Sequence, residues 1–225
     1  MSQFWETAAR VDERMRDLGI PYCIIKTYGG HEEYRDGNLD VLVDHTLLAV
    51  AEEVFDRDFH VTSRDRFKHA VYEQNKLMLN SNELPYTPLH LHRSVGWHNL
   101  CCIPAHEVIE NAEEKLFDGR PVQIASRDDE ARIFVLHIVL EQFRVKPWDL
   151  RLLERSDFDS FAADYGIDDD EIAVVRDATE GAVSTADLRP IWRKYYKKHS
   201  VDSKVSVWNR FLHWVLLVRS GRLKA

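Results

Sequence analysis

Cysteine is scarce in this sequence: Cys23, Cys101 and Cys102 are the three present in 225 residues. That is too few, and too unevenly placed, for a disulfide framework, so a reducing cytoplasm is expected. Long apolar runs are lacking as well. The longest stretch, near Val205 to Val218, is broken by Asn209, Arg210 and His213 and is too short to span a bilayer. The first residues, Gln3 to Leu18, are charged throughout, which predicts no secretory leader there. Nine glycines and seven prolines exclude low-complexity or collagen-like chains, and internal repeats and linkers are absent.

Basic charge is in deficit, 30 Lys and Arg against 38 Asp and Glu, for a net charge of −8. The deficit is uneven. From Arg189 to Ala225 there are ten basic residues and one acid, Asp202, an excess of nine that leaves −17 on the preceding 188 residues. Such asymmetry points to an anionic partner or to a basic helical face on an acidic body. Arg193, Lys194, Lys197 and Lys198, interleaved with Trp192, Tyr195 and Tyr196, suit an RNA backbone with stacked bases, or equally side chains that anchor a helix by snorkelling. The stripe of Trp208, Phe211, Leu212, Val215 and Leu216 is expected in the core or in a contact between copies.

With 44% hydrophobic and 30% charged residues the composition is that of a globular protein large enough to bury a core. Phe4, Ala8, Val11, Met15 and Leu18 recur at helical spacing and predict a helix over 2–18 closed by Gly19. Strands are expected at Tyr22 to Lys26 and Leu39 to Val43, with a helix from Thr46 to about Phe55. Further short strands are expected at 59–64, 69–73, 76–79 and 86–93. A helix is expected over 104–117, a strand over 120–125 and a helix over 127–144 opened by Ser126 and Asp129. Helical pieces at 148–155, 157–165, 169–180, 185–199 and 204–219 complete the pattern.

The stretch IPYCIIKTYGGHEEYRDGNLDVLVD, 20–44, organises these elements. Its second apolar run contains a carboxylate, Asp40. Strand alternation sends Asn38, Asp40 and Leu42 to one face and Leu39, Val41 and Val43 to the other. A charged side chain in a buried strand is held by a cation such as Arg35 or by a metal ion. On the strand over 86–93, His90 and His92 share one face. With His98, Cys101, Cys102 and His106 they offer nitrogen and sulfur donors that a Zn²⁺ site uses.

IIKTYGG, then RDGNLDVLV from Arg35, then LHLHRSVGWH from Leu89 resemble the nucleotidyltransferase superfamily with a palm like that of DNA polymerase β, in particular a stand-alone, uncharacterised branch of it. That branch reads Lys-Gly in its first motif, Asp-x-Asp in its second and acid-x-His in its third. The resemblance covers about the first two-thirds of the chain and departs at two acids, where Asn38 and His90 stand. It implies an α+β fold: a mixed sheet flanked by helices over 1–125, then a helical region over 126–225. It implies binding of a nucleoside triphosphate by Lys26, Gly29, Gly30 and Arg35. Asp40, Asn38 and His90 are implied as the catalytic and metal-binding set for Mg²⁺ or Mn²⁺, with Zn²⁺ as second choice, and nucleotidyl transfer to an acceptor as the reaction. Asp36 and Asp44 are supplementary ligands, or a loop acid and a helix cap. The alternative is a non-catalytic descendant that binds a nucleotide, RNA or a protein partner. Arg193, Lys194, Lys197 and Lys198 are the anion-binding candidates.

Overall fold

The computed structural model describes residues 2–30, 37–71, 73–82, 86–96, 99–142, 144–145, 170, 173, 181–182, 185–202 and 206–219. Two compact units divide the chain. One comprises Met1–Val95 and Ile103–Glu130, the other Gly96–Cys102 and Ala131–Ala225.

The first unit is built on a mixed seven-stranded sheet. Its strands are β1 (Tyr22–Ile25), β2 (Leu39–Val43), β3 (Phe59–His60), β4 (Lys76–Ser81), β5 (Leu89–His92), β8 (Glu113–Phe117) and β9 (Arg120–Ile124), in the spatial order β3-β4-β5-β2-β1-β9-β8. β2 runs parallel to β5 and β1 parallel to β9, and the other neighbours are antiparallel. Central position explains the apolar sequences of β1 and β2, every residue of which is buried. A pair of short strands, β6 (Ser94–Val95) and β7 (Ile103–Pro104), forms a separate ribbon.

Helix α1 (Gln3–Asp17) follows from its spacing. Ser2 caps its start, and Phe4, Trp5, Ala8, Val11 and Met15 are buried. Trp5 stacks on Phe117 of β8 with ring centroids 3.7 Å apart. Helices α2 (Leu47–Glu53), α3 (Ser63–Val71) and α4 (Ala105–Glu110) complete the layer elements, and α5 (Arg127–His137) begins at the end of this unit. The fold is α+β, as the sequence suggests.

Three stretches differ from the sequence expectation. The strands expected over 59–64 and 69–73 give way, after Phe59–His60, to helix α3. The cause is local: Thr62 Oγ1 accepts from the Asp65 amide at 3.1 Å and donates to the Asp65 carboxylate at 2.6 Å, a helix-start cap. The helix expected over 104–117 stops at Glu110, and Glu113–Phe117 is a strand paired with β9. Asp118 and Gly119 both take positive φ, 52° and 77°, the geometry of a two-residue hairpin turn. Helix α5 ends earlier than expected and passes into a π-helical turn, Ile138–Gln142.

In the second unit the described elements are that turn, the ribbon of β10 (Arg144–Val145) and β11 (Gly181–Ala182), helix α6 (Thr185–Asp202) and helix α7 (Val207–Arg219). The helical pieces expected over 148–155 and 157–165, and nearly all of 169–180, lie outside the described residues. No helix among the described residues is long and apolar enough to cross a membrane.

Gly30 is fixed by both backbone and packing. Its φ is +73°, and an added Cβ would lie 2.8 Å from Ile124 Cδ1, 2.9 Å from Lys115 Cδ and 3.2 Å from Phe117 Cζ. Gly29, at φ +70°, has nothing within 4 Å. Gly30→Ala is therefore expected to destabilise the fold by about 2–3 kcal/mol and Gly29→Ala by about 1 kcal/mol. Urea denaturation of the two variants measures the difference, and equal losses would show that packing at Gly30 contributes nothing.

Candidate functional site

Parallel pairing of β2 with β5 sets Asp40 opposite His90 and Leu42 opposite His92. Residues about 50 apart in sequence thus share one sheet face. Asn38, just before β2, donates through Nδ2 to Asp40 Oδ2 at 2.9 Å, and the same nitrogen lies 3.0 Å from His90 Nδ1. His92 Nε2 lies 2.6 Å from Asp40 Oδ1, and His90 Nδ1 lies 3.5 Å from the same oxygen. Lys26 follows β1, whose Ile25 pairs with Asp40, and its Nζ reaches Asp40 Oδ1 at 3.4 Å. The three positions singled out by the resemblance, Asn38, Asp40 and His90, meet.

The charge state follows from these partners. Burial alone would raise the pKa of Asp40. The Lys26 ammonium and the hydrogen bonds of His90 and His92 outweigh it and hold the carboxyl well below its usual range. His92 is pulled down to about 4, chiefly by burial, so it is a neutral imidazole at pH 7. Its contact with Asp40 is therefore a hydrogen bond from a neutral Nε2–H to a carboxylate, not an ion pair. Asn38 turns its amide nitrogen toward both Asp40 and His90. Lys26 brings an ammonium to this cluster.

Lys26 also carries backbone strain. Its φ is 61°, and Tyr28, Gly29 and Gly30 follow at 54°, 70° and 73°. Left-handed non-glycine residues are uncommon and concentrate where a site requires them. Buried Glu130 holds this turn. Its Oε2 accepts from the Tyr28 amide at 3.0 Å, and the amides of Thr27 and Lys26 also favour its ionised form. Burial outweighs them and pushes the Glu130 carboxyl up to about 8. The Lys115 ammonium donates to the Gly29 carbonyl, and the Gly30 amide to Thr27 Oγ1 at 3.1 Å.

Among the described residues, the histidine, cysteine and acidic side chains grouped closely enough to hold a metal ion are Asp40, His90 and His92, whose ligand atoms lie within 4.8 Å of one another. Sequence reasoning gave His90 to one metal set with Asp40 and His92 to a zinc constellation, and brought His92 to Asp40 only through a neighbouring pair of strands. Period-two spacing was the available signal, and parallel pairing of two distant strands was the missing step. Arg35, Asp36 and His98 lie outside the described residues. Asp44 and His106 are exposed, and burial raises the Cys102 thiol well above its usual range. Glu130 was missed altogether.

On α6, Arg193, Lys194, Lys197 and Lys198 are exposed, while Ile191, Tyr195 and His199 are buried and Trp192 stacks on Tyr196 at 4.9 Å. Tyr195 is thus a core residue rather than a surface for bases. Trp208 and Phe211 of α7, expected in the core or a contact, are 62% and 51% exposed.

No family model matches the sequence, and no curated protein matches it. Among solved structures, the fold is similar to the solution structure of the antibiotic-resistance factor ANT(2'')-Ia, at 8% identity and TM-score 0.46, over 87% of this chain and 92% of that one. It is also similar to the crystal structure of an antigenic nucleotidyltransferase-like protein from Paracoccidioides brasiliensis, at 14% identity and TM-score 0.37, over 89% and 91% of the two chains. At such identities and scores neither neighbour's chemistry is carried over to this chain.

Proposed function

We propose that this chain is a nucleotidyltransferase-like protein that binds a nucleoside triphosphate at the end of β1, β2 and β5 and transfers a nucleotidyl group to an acceptor. The observation that supports it is the convergence of Asn38, Asp40 and His90 within hydrogen-bonding distance, beside a strained turn that starts at Lys26. Lys26 and the Gly29 and Gly30 backbone are the phosphate-binding groups, and Arg35 joins them by resemblance. Such transfer rests on positioning and on charge stabilisation near the phosphates.

A pair of Mg²⁺ or Mn²⁺ ions does not fit the residues present. Hard cations need several oxygen ligands, whereas among the described residues Asp40 is the one carboxylate of this cluster, its neighbours being an amide and two imidazoles. No step is therefore routed through a metal pair. A second reading, nucleotide binding without turnover, is favoured by the occupation of both Asp40 oxygens by Lys26, His92 and Asn38. The exposed Arg193, Lys194, Lys197 and Lys198 suit an RNA phosphate backbone, whose binding would weaken steeply with salt.

The test is calorimetric titration with each nucleoside triphosphate, paired with a pyrophosphate-release assay in which water or an added hydroxyl or amine compound accepts the nucleotidyl group, on wild type and Asp40→Asn. Wild type is expected to bind one triphosphate and release pyrophosphate, with binding at least about ten-fold weaker in the variant. Binding without release establishes the second reading. No binding of any triphosphate, or equal binding by Asp40→Asn, removes both.

A further inference from the structure

We propose that Asp40, His90 and His92 form a site for one first-row transition ion that accepts imidazole nitrogen, with Zn²⁺ as its representative. The donor set carries the inference. One carboxylate and two imidazoles are the ligand types of open zinc and related transition-ion sites, whereas Mg²⁺ selects oxygen. Around a tetrahedral ion with bonds near 2.1 Å, neighbouring donor atoms lie about 3.3 Å apart. His90 Nδ1 stands 3.5 Å from Asp40 Oδ1, and His92 Nε2 stands 2.6 Å from it. The first separation already suits the ion, and the second opens by a small side-chain movement.

The protein supplies the other requirements. His90 presents Nδ1, the atom faced by the Asn38 amide, and His92 presents Nε2, both toward the Asp40 carboxylate. The carboxylate is 4% exposed and the two imidazoles 14% and 9%, so the site is largely shielded from water. Parallel strands hold all three side chains without a flexible loop.

Lys26 is the competitor. Its Nζ lies 3.4 Å from the Asp40 oxygen that the ion would take, so the ammonium and the ion exclude one another. Ammonium and ion exchange would couple the strained turn at Lys26 to the metal. The inference names the cation of the proposed nucleotide site and rests on that reading for its catalytic meaning, while metal binding itself requires no nucleotide.

The experiment uses tag-free full-length protein stripped with chelator and titrated with Zn²⁺ and, separately, Mg²⁺, without nucleotide. Co²⁺ serves as a visible-absorption probe of imidazole ligation. One Zn²⁺ per chain is expected, with Mg²⁺ at least about a hundred-fold weaker. His90→Asn and His92→Gln, which keep a hydrogen-bonding amide, are each expected to weaken Zn²⁺ by about ten-fold or more. Lys26→Met is expected to tighten it about ten-fold. Absence of Zn²⁺ binding overturns the proposal, as does Zn²⁺ binding that the two histidine changes leave intact. If a histidine variant fails to fold, the Lys26→Met arm decides, and unchanged or weaker affinity there overturns the proposal. Nucleotide binding without Zn²⁺ binding would remove this site and leave the proposed function standing.

Discussion

Glu130→Gln is expected to stabilise the protein at pH 8 by up to about 5 kcal/mol, and Glu130→Ala to lie about 1–3 kcal/mol below Glu130→Gln at every pH. In the unfolded chain this carboxyl titrates near its ordinary value, about 4.3, whereas burial raises it to about 8 in the fold. Between those values the folded state keeps a proton that the unfolded state has released. The contribution is therefore fully present below the unfolded value and is lost as pH rises through about 8. Glutamine keeps the carbonyl that accepts from the Tyr28 amide and never ionises. Alanine leaves the turn amides without their acceptor, which costs about 1–3 kcal/mol. A pH-dependent gain shared by both substitutions, with a constant gap between them, separates the carboxyl's charge from its hydrogen bonding. Urea denaturation from pH 5 to 8.5 reads both. Parallel stability profiles for wild type and Glu130→Gln would sink the assignment.

That Glu130 went unrecognised in the sequence has a physical cause. Asp128, Asp129 and Glu130 stand together in the first turn of α5, where acids are ordinary companions of a helix N-terminus. Asp128 is exposed and Glu130 is not, and the difference is made by a turn 102 residues earlier in the chain. Asp40 was legible for the opposite reason. A carboxylate between Leu39 and Val41 contradicts its own apolar strand, and such contradictions mark sites. His90 was legible beside Asp40 through the resemblance and His92 as its same-face neighbour, but the contact of His92 with Asp40 needed a parallel crossover pairing that no local pattern encodes. The misread segments carried readable signals, the Thr62 to Asp65 cap and the Asp118-Gly119 turn. Amphipathic spacing over short windows fits helix and strand alike, and the cap and turn residues decide between them.

His92→Gln is expected to remove an acid sensitivity that wild type carries between about pH 6.5 and pH 4. The unfolded imidazole takes a proton near 6.5, while burial lowers His92 to about 4 in the fold. Across that window the unfolded state binds the extra proton, so the fold loses stability as pH falls, by about 3 kcal/mol in all. On a total of about 5–15 kcal/mol this is a large fraction. Glutamine places an amide nitrogen where Nε2 donates to Asp40 and does not titrate. In wild type the effect is masked, because over pH 4.5 to 6.5 the folded state gains one proton at Glu130 and forgoes one at His92. The two slopes oppose, and wild type should be nearly flat there. Glu130→Gln should then show stability rising from pH 4 to 6.5 and level above, His92→Gln stability falling from pH 4.5 to 8, and the double variant neither. Below pH 4 all four proteins should weaken as Asp40, held below its usual range, finally protonates and its stabilising contribution is lost. Denaturant midpoints for the four proteins over pH 3.5 to 8.5 test the scheme. Identical profiles for the two single variants would show that neither buried group controls the pH response.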